Sequence, residues 1–365
     1  MKALLLIFLF ILGCSDKKSS SNNSEPKAVF KGNSTELKQT EIIGTLDSEI
    51  KPGKNMIWCS TLISAWKEID KKITQEAPEL LEENTLVSKL NKAKDPANYV
   101  PDEASYSNAG MIKDGILEEV KKDLAEKFPG KSMPDFKNLG PEAIIAYAYL
   151  RAGIKFDIAY HENDDSLDFK DSSGKETEVK SFGIFGHNTF HEQMASQIRV
   201  LYAKGFDEEK EFIVDLDFRS EKYQILLASV KPKKTTQEIV SYIHELISIG
   251  FKRMFHKSHK LIVPQTVWKI SHSYEDLLNK KFKNPELKDY FLVRALQDIE
   301  FKLYNRGAEV ESEVMMDAVK SAAPREDFDG RYIFNKPFYI LMMKRGEVNP
   351  FFFMYVDNAE LLDKW

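Results

Sequence analysis

Cysteine is nearly missing from this chain: two residues, Cys14 and Cys59, among 365. A disulfide framework is therefore excluded, and the fold must be held by its core. Long apolar runs are missing too. The one at the start, residues 3–12, is too short to cross a bilayer as a helix. Charge of one sign is not concentrated anywhere, with 52 Lys+Arg against 57 Asp+Glu spread along the chain for a net charge of −5. That balance argues against nucleic acid as the main partner. The sequence also lacks internal repeats, a Gly-rich phosphate loop, a zincin motif and a nucleophile elbow.

What is there begins with a secretory layout. Lys2, an apolar run, and Gly13 before Cys14 form a signal segment, and Ile11-Leu12-Gly13-Cys14 resembles a lipobox in which Cys14 becomes the acylated first residue of the mature chain. Residues 1–14 are read as signal, and residues 15–39, opening with Ser, Asn and Lys, as a flexible tether. The expectation is an exported protein, lipid-anchored to the cell envelope, with one domain over residues 40–365. The 42% apolar and 12% aromatic content is enough for a large core and rules out global disorder.

Periodicity predicts a mixture of elements. Helices are expected over residues 57–73 (Leu62, Ala65, Trp66, Ile69, Ile73), 116–128, and 236–251 after Thr235-Thr236. Residues 141–149 fit a helix or a buried strand equally. Short β-prone runs lie at 212–216, 223–230, 261–263 and 291–293. Two apolar runs, 338–343 and 351–356, flank a polar turn containing Gly346 and Pro350, and predict a hairpin so apolar that both of its faces must be covered.

At this hairpin the sequence resembles the serpin family. Phe334-Asn335-Lys336-Pro337-Phe338 and Phe352-Phe353-Met354 are similar to the family's C-terminal signature, with Tyr355 where Gly is usual. The stretch from Asn55-Met56-Ile57-Trp58-Cys59-Ser60 resembles the start of its buried central helix. Residues 143–156, followed by Phe169, Gly174, Thr177, Val179 and Lys180, resemble a strand of its main sheet and the segment after it. Phe212-Ile213-Val214 and Ile225-Leu226-Leu227 suit its second sheet. Residues 263–270 with Ser273-Tyr274 resemble a family strand and the helix start after it, and 291–307 the long strand that ends in the loop hinge. The resemblance covers residues 40–362 in one order. It implies an α+β fold with a large mixed main sheet, a second sheet holding the C-terminal hairpin, and surrounding helices.

The implied function is that of a monomeric protease inhibitor, not an enzyme, without cofactor or metal. A loop over residues 307–333 would be cut by a serine protease, trypsin-like if the bait is basic, or by a cysteine protease, and would insert into the main sheet. The implied hinge is Gly307, Ala308, Glu309, Val310, Glu311 and Ser312. Spacing puts the scissile bond at Lys320-Ser321 or one residue on, with Arg325 as a second bait. Ala308, Val310, Ser312 and Val314 would share one face of an inserted strand, and Glu309, Glu311 and Glu313 the other. The alternative is a non-inhibitory lipoprotein using the fold as a binding or structural scaffold. Three departures bear on insertion. Only about fifteen residues separate Phe128 from Ala143, implying that a covering helix is shortened or lost. Cys59, Leu62 and Gln297 replace a buried Ser-Ser-His cluster, and Asn305-Arg306 precedes the hinge. Spacings such as His187 with His191 and His256 with His259 are better read as surface histidines than as metal ligands.

Overall fold

The computed structural model describes residues 26–131, 136, 139–185, 191–205, 210–256, 258–308 and 330–365. The first part of the chain supplies β1 (Phe30–Asn33), β2 (Thr40–Ile42), β3 (Asn55–Cys59), α1 (Thr61–Ile69), α2 (Thr85–Lys92), β4 (Ser105–Met111), α3 (Ile116–Lys127) and β5 (Ile144–Leu150). The middle adds β6 (Ile154–Lys155), β7 (His161–Glu162), β8 (Leu167–Lys170), β9 (Glu176–Val179), β10 (Ser181–Ile184), α4 (His191–Ser196), β11 (Arg199–Lys204), β12 (Glu211–Asp215), β13 (Tyr223–Ser229) and α5 (Thr236–Ile249). The last part gives β14 (Arg253–Met254), β15 (Lys260–Pro264), β16 (Thr266–Ser273), β17 (Leu296–Leu303), β18 (Gly307–Ala308), β19 (Arg331–Ile333), β20 (Phe338–Lys344) and β21 (Pro350–Val356).

Eight strands form the largest sheet, in the order β14-β11-β12-β13-β20-β21-β3-β2. The C-terminal hairpin β20–β21 sits inside it, between β13 and β3. Alternate residues of the hairpin enter different cores. Phe338, Ile340, Met342, Met354 and Val356 join one cluster with β16 and β17. Tyr339, Leu341, Met343, Phe353 and Tyr355 join another with α1, α2 and α5. A sheet covered on both faces needs no polar alternation, which is why these strands are continuously apolar.

A second sheet, β19-β15-β10-β7, and a three-stranded one, β1-β16-β17, pack on the first of those cores. Phe301 of β17 stacks on Phe352 of β21 at 4.5 Å between centroids, with Trp268 of β16 beside both. The pair β4–β5 stands apart from β1-β16-β17, so the sheet that the serpin resemblance makes the main one lies in two pieces.

Several expectations are met and some are corrected. Helix α5 is capped as expected, the Thr235 hydroxyl accepting from the Glu238 amide at 3.2 Å. Residues 144–150 resolve to a strand paired with β4. The helix expected from residue 57 starts at Thr61, because residues 55–59 form the buried strand β3. Residues 291–293 are not a strand: Phe291 makes one isolated bridge to Lys281, and β17 begins at Leu296. The stretch assigned to the tether contains β1, which pairs in parallel with β16, and Val29 donates to Val267 at 2.7 Å.

Candidate functional site

Strand β17 alternates cleanly, with Gln297, Ile299, Phe301 and Leu303 inward and Leu296, Asp298 and Glu300 outward. It ends in a turn, Tyr304-Asn305-Arg306-Gly307, closed by the Gly307 amide donating to the Tyr304 carbonyl at 3.1 Å. The chain thereby reverses, and Gly307-Ala308 pairs antiparallel with Lys155 and Ile154. Gly307 has φ +123, and a Cβ there would land on the Ile154 carbonyl and on the Lys155 backbone. Only glycine meets both demands, a left-handed backbone and close approach to a neighbouring strand. Two further bonds grip the turn: the Phe156 amide donates to Arg306 at 3.1 Å and the Tyr160 amide to Asn305 at 2.8 Å.

Below this turn lies a slot in the sheet. No backbone pairing joins β5 to β17 among the described residues. The two strands are near neighbours, since Asp298 acts on the Tyr147 phenol and Glu300 on that of Tyr149. Burial, then Tyr149 and Asp298, push the Tyr147 phenol up to about 12. Lys131 reaches over the slot from the far side, its ammonium 4.6 Å from the Tyr149 ring centroid. Burial lowers its pKa, Lys269 lowers it further, and Asp298 and Glu300 act in the opposite sense. An unpaired edge on each strand and a turn that starts a short strand on β6, just after β5, mark a place where a strand could be added.

The inner floor of the slot is polar, but not as expected. Gln297 donates to the Cys59 carbonyl at 3.1 Å and to the Thr61 hydroxyl at 2.7 Å, and accepts from the Tyr274 hydroxyl at 2.6 Å. The buried cluster is thus rebuilt rather than lost. Thr61, which the sequence comparison passed over, supplies the hydroxyl, while half-buried Leu62 packs with the helix-side core. Burial raises the Cys59 thiol, and the Tyr274 phenol is raised by burial and then by Cys59.

Among the described residues no helix lies between Phe128 and Ala143, as the short spacing implied, and the cover comes from elsewhere. One face of β4–β5, carrying Tyr106, Ile145, Tyr147 and Tyr149, is covered by Ile116, Val120 and Leu124 of α3 and by Phe128, Phe136 and Leu139 after it. Phe128 meets Tyr149 edge-on at 4.8 Å. The opposite face rests on α1, where the Ser107 hydroxyl donates to Glu68. A single helix, α3, does the covering, and the short stretch after it completes the cover.

Gly307 and Ala308 are the only proposed hinge residues described. Glu309, Val310, Glu311, Ser312, Lys320, Ser321 and Arg325 lie outside the described residues, as do Cys14 and His187. The His256 amide donates to His259 Nδ1 at 3.1 Å, and the His259 ring packs on Tyr332 and Phe255.

No family model matches the sequence. No curated protein matches it either. Among solved structures, the chain is similar to a thermophilic serpin, tengpin, in the native state, with 12% identity, covering 89% of this chain and 99% of that one, at a TM-score of 0.49. It is similar to human thyroxine-binding globulin complexed with thyroxine, with 10% identity over 84% of this chain and 92% of that one, TM-score 0.48. It is also similar to native protease nexin-1 with heparin, with 11% identity over 67% and 64%, TM-score 0.39. The serpin likeness read from the sequence and the neighbours found by structure concern the fold alone.

Proposed function

We propose that this protein inhibits a protease as a suicide substrate, its cut loop entering the slot between β5 and β17. One observation carries the reading: the hinge turn already lays Gly307-Ala308 antiparallel on β6, just after β5, while β5 and β17 each leave one edge unpaired among the described residues. Continued in the register of Gly307 with Tyr304, Val310 would stand opposite Phe301 and Ser312 opposite Ile299, both inward on β17. Burying that face is favourable, at about 1.5–3 kcal/mol for each large apolar side chain. Lys320-Ser321 remains the proposed scissile bond and a trypsin-like serine protease the proposed target, with a cysteine protease as the other class. A lipid on Cys14, and with it an envelope location, belongs to the same proposal.

The non-inhibitory scaffold is favoured by a specific observation. In the same register Glu311 would face Glu300 and Glu313 would face Asp298, and like charges opposite one another destabilise a sheet. Lys302, opposite Glu309, offsets them in part, as do Lys131, on which Asp298 and Glu300 act, and Lys269, paired with Glu300 at 3.7 Å.

The test is to cut the chain with trace trypsin, identify the bond by mass, and compare Tm before and after. Inhibition predicts cleavage after Lys320 and a Tm rise of about 10 °C or more, the shift a few kcal/mol produces in a large domain. It also predicts an SDS-resistant complex with a trypsin-like enzyme. A nicked chain with unchanged Tm and no complex would sink inhibition and leave the scaffold.

A further inference from the structure

Behind the hinge lies a cluster of carboxylates that no part of the insertion reading uses. Asp217 follows β12 and is 3% exposed; Asp215, at the end of β12, is 1% exposed. Asp215 is paired with the Arg345 guanidinium from the β20–β21 turn, and the Gln224 amide donates to it at 2.8 Å. Asp217 has no such partner. Arg345 reaches only its backbone carbonyl, at 2.7 Å. Its carboxyl accepts from the Arg219 amide, and Oδ1 has no hydrogen-bond partner among the described residues. Facing it are Asp157 from the segment after β6, Asp215 from β12, Arg345 from the hairpin turn, and Arg219 of its own loop. Tyr160 also senses this charge. Arg199 of β11, opposite Asp215, lies 4.3 Å over the Phe218 ring, and the Arg219 guanidinium donates to the Ser196 hydroxyl.

The segment 154–160 joins this cluster to the hinge. On one side its Phe156 and Tyr160 amides hold the Arg306 and Asn305 carbonyls. On the other, the Tyr160 hydroxyl donates to the Leu216 carbonyl at 2.7 Å, next to Asp217. Gln197 adds a reciprocal pair to Ile158, accepting at 3.2 Å and donating at 2.7 Å, and its own carbonyl accepts from Phe218. An uncompensated charge on Asp217 is therefore felt through Asp157 and Tyr160 by the strip of chain that grips the turn.

We propose that Asp217 and Asp157 form a proton-operated brace on the hinge: with Asp217 protonated, segment 154–160 seats against residues 216–219 and holds the turn, and with it ionised the two carboxylates push the strip away. Burial first, then Asp157 and Asp215, raise the Asp217 carboxyl to about 7. Because the seated state binds the proton more tightly than the open one, seating is fully favoured below about pH 4 and is lost as pH rises through about 7. The hinge is thus released near neutrality and held in mild acid. This rests on reading the Tyr304–Gly307 turn as the loop hinge.

The test is hydrogen exchange on the uncut full-length chain between pH 5.5 and 8, corrected for intrinsic rates, read at the Phe156 and Tyr160 amides. The wild type should show protection falling at least about tenfold across that window, since a proton bound in the seated state alone is worth about tenfold per pH unit between the two pKa values. Asp217→Asn should hold the acid-state protection at every pH. Asp157→Asn, at an exposed position, should keep the fold and shift the midpoint to lower pH. Wild-type behaviour in both variants, or an unmoved midpoint in Asp157→Asn if the Asp217 variant does not fold, would overturn the brace. Loop insertion is read only after cutting, so the two ideas fail separately.

Discussion

Asn55 is fully buried on β3, and its side chain is spent on the far end of the chain. The Asp357 and Asn358 amides donate to its Oδ1 at 2.8 and 3.0 Å, and its Nδ2 donates to Asn358 Oδ1 and the Thr40 hydroxyl. Asn55→Ala would leave two backbone amides without a partner, while Asn358 Oδ1 keeps the Glu360 amide and Thr40 keeps the Glu360 carboxylate, and each buried group left unpaired costs about 1–3 kcal/mol. A loss of about 3 kcal/mol is expected in urea unfolding at an unchanged m-value; a loss within about 0.5 kcal/mol would mean that water replaces these bonds. The serpin resemblance marks Asn55 but not its partners, because Asp357 and Asn358 lie some 300 residues away. Gln297 shows the opposite case. Its position was marked as a departure, yet what it does depends on Thr61 and Tyr274, which no local pattern connects to it.

Among the elements, the hinge turn is the one whose geometry leaves least room. Gly307→Ala would drive a methyl into the Ile154 carbonyl, and its φ of +123 would be strained as well. The variant should lose the β18–β6 pairing while the remaining sheets hold. Exchange at the Phe156 and Gly307 amides should rise at least about tenfold, with amides of β20 and β21 unchanged; equal protection would show that the turn relaxes around a side chain. The apolar periodicity that predicted α3 and α5 was legible because burial of one face writes a period into the sequence, and the hairpin was legible as two unbroken apolar runs flanking a polar turn. The strand over residues 55–59 was not, since five buried residues in a row fit a helix start equally well. The strand assigned to residues 291–293 failed for a related reason: Phe291 and Val293 are about half exposed and pair with little.

For the molecule as a whole, Cys59 is a built-in reporter. It is 6% exposed, its thiol is raised by burial, and Thr61 sits 3.7 Å from its sulfur. A buried, protonated thiol is unreactive. In a Cys14→Ser chain, labelling by a disulfide reagent should wait for unfolding, so its rate should follow the global unfolding equilibrium through a urea series. A urea-independent rate would instead show that the slot above Gln297 opens locally.

The inner position of β20–β21 also orders events during synthesis. The ribosome delivers β3 nearly three hundred residues before β21, the strand it must pair with, and β13 more than a hundred before β20. Until the last strands emerge, the largest sheet is two fragments with raw edges, β2–β3 and β14-β11-β12-β13, and no contact of low sequence separation can join them. A nascent chain of this design stays open until β20 and β21 are made, which demands protection from edge-to-edge aggregation in the interval.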